Sequence, residues 1–253
     1  MSEDGSGPAP TVTPLSTLTR KLKSTASLSG DDHSAVETLP FVLRTYAERT
    51  SIVREGDVPK QCCLILDGWA YRCSSLDNGQ RQISAFYVPG DIPDIESLHL
   101  QVMDQGLVAM PQATVAFIPH NAMRALIKQN ESVATALWRD TLIDGTRCRE
   151  LVTSLGRRQA NSRLAHLFCE MYVRLQAVGL AEDLAYKLPT TQTDLADALG
   201  ISAVHLNRSL QDLRKQGLIT FRGRVLTIHD WNGLAKAARF DPAYLHIVRR
   251  AGE

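Results

Sequence analysis

The chain has 253 residues, is 44% hydrophobic and carries a formal net charge of +1 with histidine neutral. That length suits two modest domains, each with a real core, and a charge so near zero excludes wholesale coating of nucleic acid, so a polyanion must be met by a local patch. The N-terminus MSEDGSGPAP lacks the apolar core of a signal peptide and no apolar run is long enough to span a bilayer, so a soluble cytoplasmic protein with no membrane partner is expected.

Residues 1–14 are rich in Ser, Thr, Pro and Gly and read as a disordered tail. From Leu15 to about Leu28 a short helix is expected, with Leu15, Leu18 and Leu22 on one face beside Arg20, Lys21 and Lys23. Ser29-Gly30-Asp31-Asp32 reads as a turn and cap into a second short helix ending near Leu39. Between Arg44 and Ile118 short β-rich runs (SIVRE, CCLIL, WAYRCSSL, RQISAFYV, TVAFIP) are punctuated by Gly56, Gly68, Gly79 and Gly90. Asp77-Asn78-Gly79 is a hairpin signal, and strands at this spacing point to a β-sandwich or jelly-roll barrel. The alternation breaks between Gly90 and Val108, where IPDIESLHLQVM allows a short helix and an opening for a ligand.

That segment holds Asp91, Asp94, Glu96, His99 and Asp104. A metal site is conceivable there, but solvated loop residues or internal hydrogen bonds are the simpler reading, and no metal or cofactor is expected. The five cysteines, Cys62, Cys63, Cys73, Cys148 and Cys169, form no CxxC pair and fit neither a zinc nor an iron–sulfur spacing. In a strand, the adjacent Cys62 and Cys63 point to opposite faces and serve as small core hydrophobes.

A long helical stretch is expected from His120 to about Leu155. In its second half Ala134, Trp138, Thr141, Gly145, Cys148, Val152 and Leu155 recur at steps of four and three, an a/d seam over three heptads. Such a seam implies a homodimer; packing of the helix on its own barrel is the alternative. Gly156-Arg157-Arg158 is expected to break this helix, and Asn161 to about Val178 forms another with Leu164, Leu167, Phe168, Met171 and Leu175 inward.

The stretch TTQTDLADALGISAVHLNRSLQDLRKQG, residues 190–217, reads as a helix-turn-helix. Thr191 caps the first helix, which buries Leu195, Ala196 and Leu199 and ends at Gly200. Ser202 caps the second, which buries Leu206, Leu210 and Leu213 and stops at Gly217. The opposite face carries Val204, Arg208, Gln211 and Lys215, flanked by His205 and Asn207. An ordinary amphipathic hairpin with a solvated face shares this spacing. The run LITFRGRVLTI, with a turn at Arg222-Gly223, supplies the wing of a winged helix. From Lys187 to Arg224 six basic residues stand against three acidic ones, which fits a phosphate-binding surface. Val204, His205, Asn207 and Arg208 are the candidates for base edges; Thr191, Gln192, Ser202, Gln211, Lys215, Arg222 and Arg224 are the candidates for phosphates. A last helix, WNGLAKAAR, capped by Asp230, and a turn at Asp241-Pro242 close the chain.

Barrel, long helix and winged helix in this order resemble the Crp/Fnr family of bacterial transcription regulators over about residues 15–240. The motifs are REGD (Arg54 to Asp57), LILDGWAYR, PGD (Pro89 to Asp91), RLAHLFCE (Arg163 to Glu170) and above all TQTDLADALGISAVHLNRSLQDLRKQGLI. The resemblance implies an α+β chain: a disordered tail at 1–14, an N-terminal β-roll or jelly-roll sensor domain at 15–130, a dimerisation helix at 131–156 and a winged helix-turn-helix at 157–253. It implies a homodimer that binds palindromic promoter sites on double-stranded DNA, with RNA polymerase a further candidate partner and a small-molecule effector unidentified or absent.

Three departures stand out. The family's phosphate-binding cassette starts Gly-Glu and ends in an Arg-Ser or Arg-Thr pair; here the start is Gly90-Asp91 and the pair falls near Met103-Asp104, where an acidic side chain repels phosphate. The nucleotide-contacting hydroxyls of the long helix fall near Cys148 and Arg149, and the N-terminal cluster cysteines are absent. Neither cyclic AMP nor an iron–sulfur cluster is therefore expected. The usual recognition-helix glutamate maps to Val204, while the arginine is retained as Arg208. The competing readings are a ligand-binding or adaptor module whose winged helix contacts protein, and an enzyme, for which no paired catalytic constellation is found.

Overall fold

The computed structural model describes residues 13–247; the expected tail lies outside them save for Thr13 and Pro14, whose carbonyls already accept hydrogen bonds in the turn into the first helix. Two short helices, α1 (Ser16–Lys23) and α2 (Gly30–Glu37), precede the strands. Leu15, Leu18 and Leu22 are buried as the spacing demands, and Ser29 with Asp32 forms a capping box on α2.

Seven strands follow: β1 (Val42–Tyr46), β2 (Ser51–Val53), β3 (Gln61–Asp67), β4 (Ala70–Ser75), β5 (Arg81–Tyr87), β6 (Gly106–Ala109) and β7 (Ala113–Pro119), with a 3-10 turn at Ile95–Leu98 between β5 and β6. They form two antiparallel sheets, ordered β1-β7-β3 and β2-β6-β4-β5. Val53, Tyr87 and Leu107 from one sheet and Cys63, Ile65 and Phe117 from the other share one core between them. Cys62, next in line on β3, belongs to a different core with α1, α2 and the helices after β7. The two cysteines thus face opposite ways, as strand geometry requires.

Sequence reasoning passed over β1 and β6. VLRTY is exposed almost throughout, so no buried alternation marks β1, and β6 has only four residues after an irregular loop. The expected helical stretch over 120–155 consists of two helices, α3 (His120–Gln129) and α4 (Glu131–Arg157). Asn130 is extended (φ −129°, ψ 94°), and its amide and side chain both donate to the Leu126 carbonyl, which closes α3 before Glu131 opens α4. Gly156 does not break α4, which runs to Arg157; the extended Arg158 ends it. The next helix is α5 (Ala160–Ala177).

Beyond it lie β8 (Ala181–Glu182), β9 (Ala185–Lys187), α6 (Gln192–Leu199), α7 (Ala203–Lys215), β10 (Ile219–Arg222), β11 (Val225–Ile228), α8 (Trp231–Ala238) and a 3-10 turn at Pro242–Leu245. The last four strands make one sheet, β10-β11-β9-β8. The C-terminal unit does not stand apart. Trp69, Tyr71, Ile83, Phe86, Val88 and Met110 of the N-terminal sandwich share a continuous core with α5, α6, α7 and the wing. A bulge opposite Arg72 and Cys73 lets Ser84 slip out of phase, so Ile83 and Phe86 both face this core although they are three residues apart.

A buried charge cluster pins the same junction. Gly90 (φ +97°) brings the PGD turn so close to α1 that a Cβ there would lie 2.9 Å from the Thr17 carbonyl. The next residue, Asp91, meets Lys21 of α1 at 2.7 Å and Arg174 of α5 at 2.9 Å and accepts the Val88 N–H at 2.8 Å. Arg174 and Arg147 both donate to the Phe86 carbonyl at 3.0 Å. Burial pushes the Asp91 carboxyl up, but Lys21 and Arg174 outweigh it and hold the group well below the ordinary carboxylate range. Asp91→Asn leaves two buried cations under-compensated and should cost about 3 kcal/mol in urea denaturation. Since the folded pKa lies below the unfolded one, the carboxylate's contribution is complete above about pH 4 and fades as the pH falls further. The wild-type advantage over the variant should shrink in that acid window.

Candidate DNA-binding interface

The helix-turn-helix is built by local signals that agree with one another. Thr191 Oγ1 accepts the Asp194 N–H at 3.1 Å and the Asp194 carboxylate accepts the Thr191 N–H in return, a full capping box. Gly200 takes the left-handed conformation (φ 61°, ψ 40°) that ends α6. A Cβ there would sit 3.2 Å from Leu155 Cδ2, so the turn also lies close to the end of α4. Ser202 caps α7, accepting the His205 N–H at 3.3 Å, and its hydroxyl meets His205 Nδ1 at 2.9 Å. Leu206, Leu210 and Leu213 are buried, and Gly217 (φ 69°) follows the helix end.

The polar face of α7 is left open. Val204, His205, Asn207, Arg208, Gln211 and Lys215 are all exposed, Val204 to 60%. Gln192 and Ser202 are exposed at the helix starts, whereas Thr191 is half-buried with its hydroxyl engaged in the cap. In the wing, Arg222 pairs with Val225, so the two-residue turn is Gly223-Arg224 and not Arg222-Gly223. Both turn residues have positive φ, 57° and 61°, as a type I′ turn needs. Arg224 holds this disfavoured conformation while its carbonyl accepts the Leu188 N–H and its side chain stays exposed.

The residues that aim this surface escaped the sequence. Arg81, the first residue of β5, grips α6: its Nη2 lies 2.7 Å from both Asp194 and Asp197 and its Nε donates to Asp197 at 2.8 Å. Its Nη1 donates to the Tyr71 hydroxyl and its guanidinium lies 4.9 Å from that ring's centroid. Gln82 Nε2 donates to the Ala198 carbonyl at 3.2 Å. Arg214 Nη2 donates to the Phe221 carbonyl and ties α7 to the wing. The partners of Arg81 and Gln82 on α6 lie 113 to 116 residues away, so no spacing rule could pair them.

On α4 the expected seam is partly open. Trp138 (65% exposed), Cys148 and Val152 (66%) face outward, with Leu142 (53%), which the heptad count had not included. Ala134, Thr141, Gly145 and Leu155 are half-buried. A cavity of about 290 Å³ lies where β5, α4, α5 and α6 meet, bordered by Arg72, Ser84, Gln105, Cys148, Ser154 and His166. Its arginines are already engaged: Arg72 binds the Pro93 carbonyl and Glu96, and Arg163 binds three backbone carbonyls. Asp104 is largely exposed and stands 4.0 Å from Arg72. The acidic residues of the loop are spent separately: Asp91 on Lys21 and Arg174, Asp94 on the Cys63 N–H, Glu96 on Arg72. Burial raises the Asp94 carboxyl to about 7. Among the described residues no group of three His, Cys, Asp or Glu side chains is arranged to hold a metal ion, and no helix is long and apolar enough to cross a membrane.

Comparison with known proteins agrees with this architecture. Residues 43–130 match the cyclic nucleotide-binding domain and residues 162–237 the Crp-like helix-turn-helix domain. The chain is 23% identical to the anaerobic regulatory protein of Haemophilus influenzae over 78% of this chain and 77% of the relative. It is 22% identical to the transcriptional activator protein FnrL of Cereibacter sphaeroides over 79% and 80% of the two chains. Among solved structures it is similar to FixK2 from Bradyrhizobium japonicum, with a TM-score of 0.71 and 24% identity over 79% of this chain and 98% of that one. With a cyclic-nucleotide-binding-like β domain, a long connecting helix and a Crp-like helix-turn-helix in one chain, the protein belongs to the Crp/Fnr family of DNA-binding transcription regulators.

Proposed function

We propose that this protein reads a two-half promoter site as a homodimer, with α7 of each subunit in a major groove and the wing on the flanking backbone. The observation that carries the reading is the division of α7 into a buried leucine stripe and an open Val204-Arg208-Gln211-Lys215 face, beside a wing turn that ends in an exposed arginine. In this reading Val204, His205, Asn207 and Arg208 face base edges. Gln192, Gln211, Lys215, Arg222 and Arg224 meet phosphates, and Thr191 and Ser202 do so mainly by fixing the helix N-termini. The sensor unit is residues 15–130, the dimerisation helix 131–156 and the DNA-binding unit 157–253. The protein acts by binding and not by catalysis, and RNA polymerase is its further partner at the promoter.

The subunits pair through Ala134, Trp138, Thr141, Gly145, Cys148, Val152 and Leu155, with Leu142 added to the line. Large apolar side chains so exposed on one helix face support this pairing. The cavity between β5, α4 and α6 is the point of signal input, because a ligand there touches the sensor, the dimer helix and the DNA unit together. Cyclic AMP is not that ligand: Asp91 is taken up by the structural ion pairs, Arg163 is bound to carbonyls, and Arg72 is already held by the Pro93 carbonyl and Glu96 through its Nη2.

Three outcomes follow from this reading. Arg208→Ala should cost about 1–3 kcal/mol per half-site on the cognate duplex and relax preference at one guanine, whereas Arg224→Ala should weaken cognate and scrambled duplexes alike and lower the salt slope by about one per subunit. Titrations of both variants at several salt concentrations read the difference; an equal loss on both duplexes for Arg208→Ala would make it a phosphate contact. Val152→Lys should give monomers by light scattering, since two like charges would be brought together in the seam. Calorimetry with cyclic AMP should show no heat of binding.

A further inference from the structure

The matched helix-turn-helix segment stops at residue 237, yet the chain goes on to fold back across the molecule. After α8 the left-handed Arg239 (φ 49°) turns the backbone, and Asp241 caps the 3-10 turn Pro242–Leu245 by accepting the Ala243 N–H. Phe240 and Tyr244 then close on His166 of α5. Phe240 meets its ring edge-on at 5.3 Å, and Tyr244 stacks on it at 5.9 Å and 15°. Leu245 is buried, and with Ile247 it lines a small pocket against Lys21, Thr25, Val88 and Val178.

One residue bridges the two helices of the joint. The Tyr244 carbonyl accepts a hydrogen bond from Thr146 of α4 at 2.7 Å, and its hydroxyl donates to Glu170 of α5 at 2.7 Å. Glu170 is itself held by Arg147 and Arg174. Between these helices the backbone at Arg158 and Gln159 is extended, and the helical bonding reaches this two-residue link only through the Arg158 N–H to the Ser154 carbonyl and the Arg163 N–H to the Gln159 carbonyl. Any swing of α5 on α4 must therefore break both Tyr244 bonds or tear the segment from His166 and the α1 side.

We propose that residues 240–247 are a strap across the α4–α5 joint that fixes the orientation of the helix-turn-helix unit relative to the dimer helix. The strap thereby sets the spacing between the two recognition helices, a consequence that rests on the dimeric DNA-binding reading above, whereas the strap itself does not.

Two variants test it: a chain truncated after Arg239, and full-length Tyr244→Phe, which keeps the stacking but loses the bond to Glu170. Hydrogen exchange without DNA reads the joint directly. Amides over 157–163 should exchange about tenfold faster in the truncated chain and several-fold faster in Tyr244→Phe, while the sandwich strands keep their protection. Should truncation prevent folding, Tyr244→Phe alone decides. Wild-type protection at the joint in the folded variants overturns the strap, as does an equal loss of protection throughout the chain, which would mark mere destabilisation. The second arm measures affinity for duplexes whose half-sites are moved together or apart by one base pair. The wild type should bind the altered spacings poorly and the variants should tolerate them. Unchanged spacing preference with a loosened joint overturns the claim that the strap sets the spacing, and absence of any DNA binding by the wild type marks failure of the DNA reading instead.

Discussion

The outer face of the β2-β6-β4-β5 sheet is the constraint on which the rest of the molecule depends. A sandwich needs only its inner faces to be apolar, yet this sheet carries Trp69, Tyr71, Ile83 and Phe86 outward, all of them buried. Each such side chain gains about 1.5–3 kcal/mol by leaving water, so the sheet cannot stand uncovered. What covers it is the unit that carries the recognition helix. Packing against the N-terminal sandwich therefore contributes to the orientation of α7, alongside the contacts at the α4–α5 joint. The bulge at Ser84 is part of this device: without it Ile83 and Phe86 would fall on opposite faces and could not both join this core.

Charge follows the same plan. Within the segment from Lys187 to Arg224, Asp194, Asp197 and Asp212 dilute the basic residues. In the folded protein Asp194 and Asp197 are both compensated by Arg81, which comes from outside that segment, and Asp212 accepts from Asn161. The field that approaching phosphates meet is thus more positive than the local composition indicates. The buried cluster of Lys21, Asp91, Arg147, Glu170 and Arg174 plays a different part. Its members face one another and not solvent, and they make the PGD turn a structural joint where the cassette of the nucleotide-binding relatives would need an open site.

Much of this was legible in the sequence wherever cause and effect are close in the chain. Thr191, Gly200 and Ser202 announce the helix-turn-helix because caps act over three or four residues. The leucine stripe of α7 and the strands of the sandwich declare themselves by period. Asn130-Glu131 carried a helix-start signal too, but the apolar periodicity running across it concealed the break between α3 and α4. The exposed β1 has no period to read, and the two-residue β8 is too short to have one. Arg81, Arg174 and Tyr244 could not be found at all. Each acts through partners some 70 to 116 residues away, and an isolated arginine or tyrosine looks the same whether it is solvated or joins two domains.

Asp194 holds two posts at once. Its carboxylate closes the capping box with Thr191, and it is also one of the two anions held by Arg81. The start of α6 and its seat on β5 are consequently not separate equilibria. Fraying of the first turn would pull the carboxylate out of line with the guanidinium, and lifting the helix from the sheet would leave the cap's own anion uncompensated. Secondary structure and tertiary docking should melt together at this point, so that the helix which positions the DNA-reading surface is either folded and seated or neither.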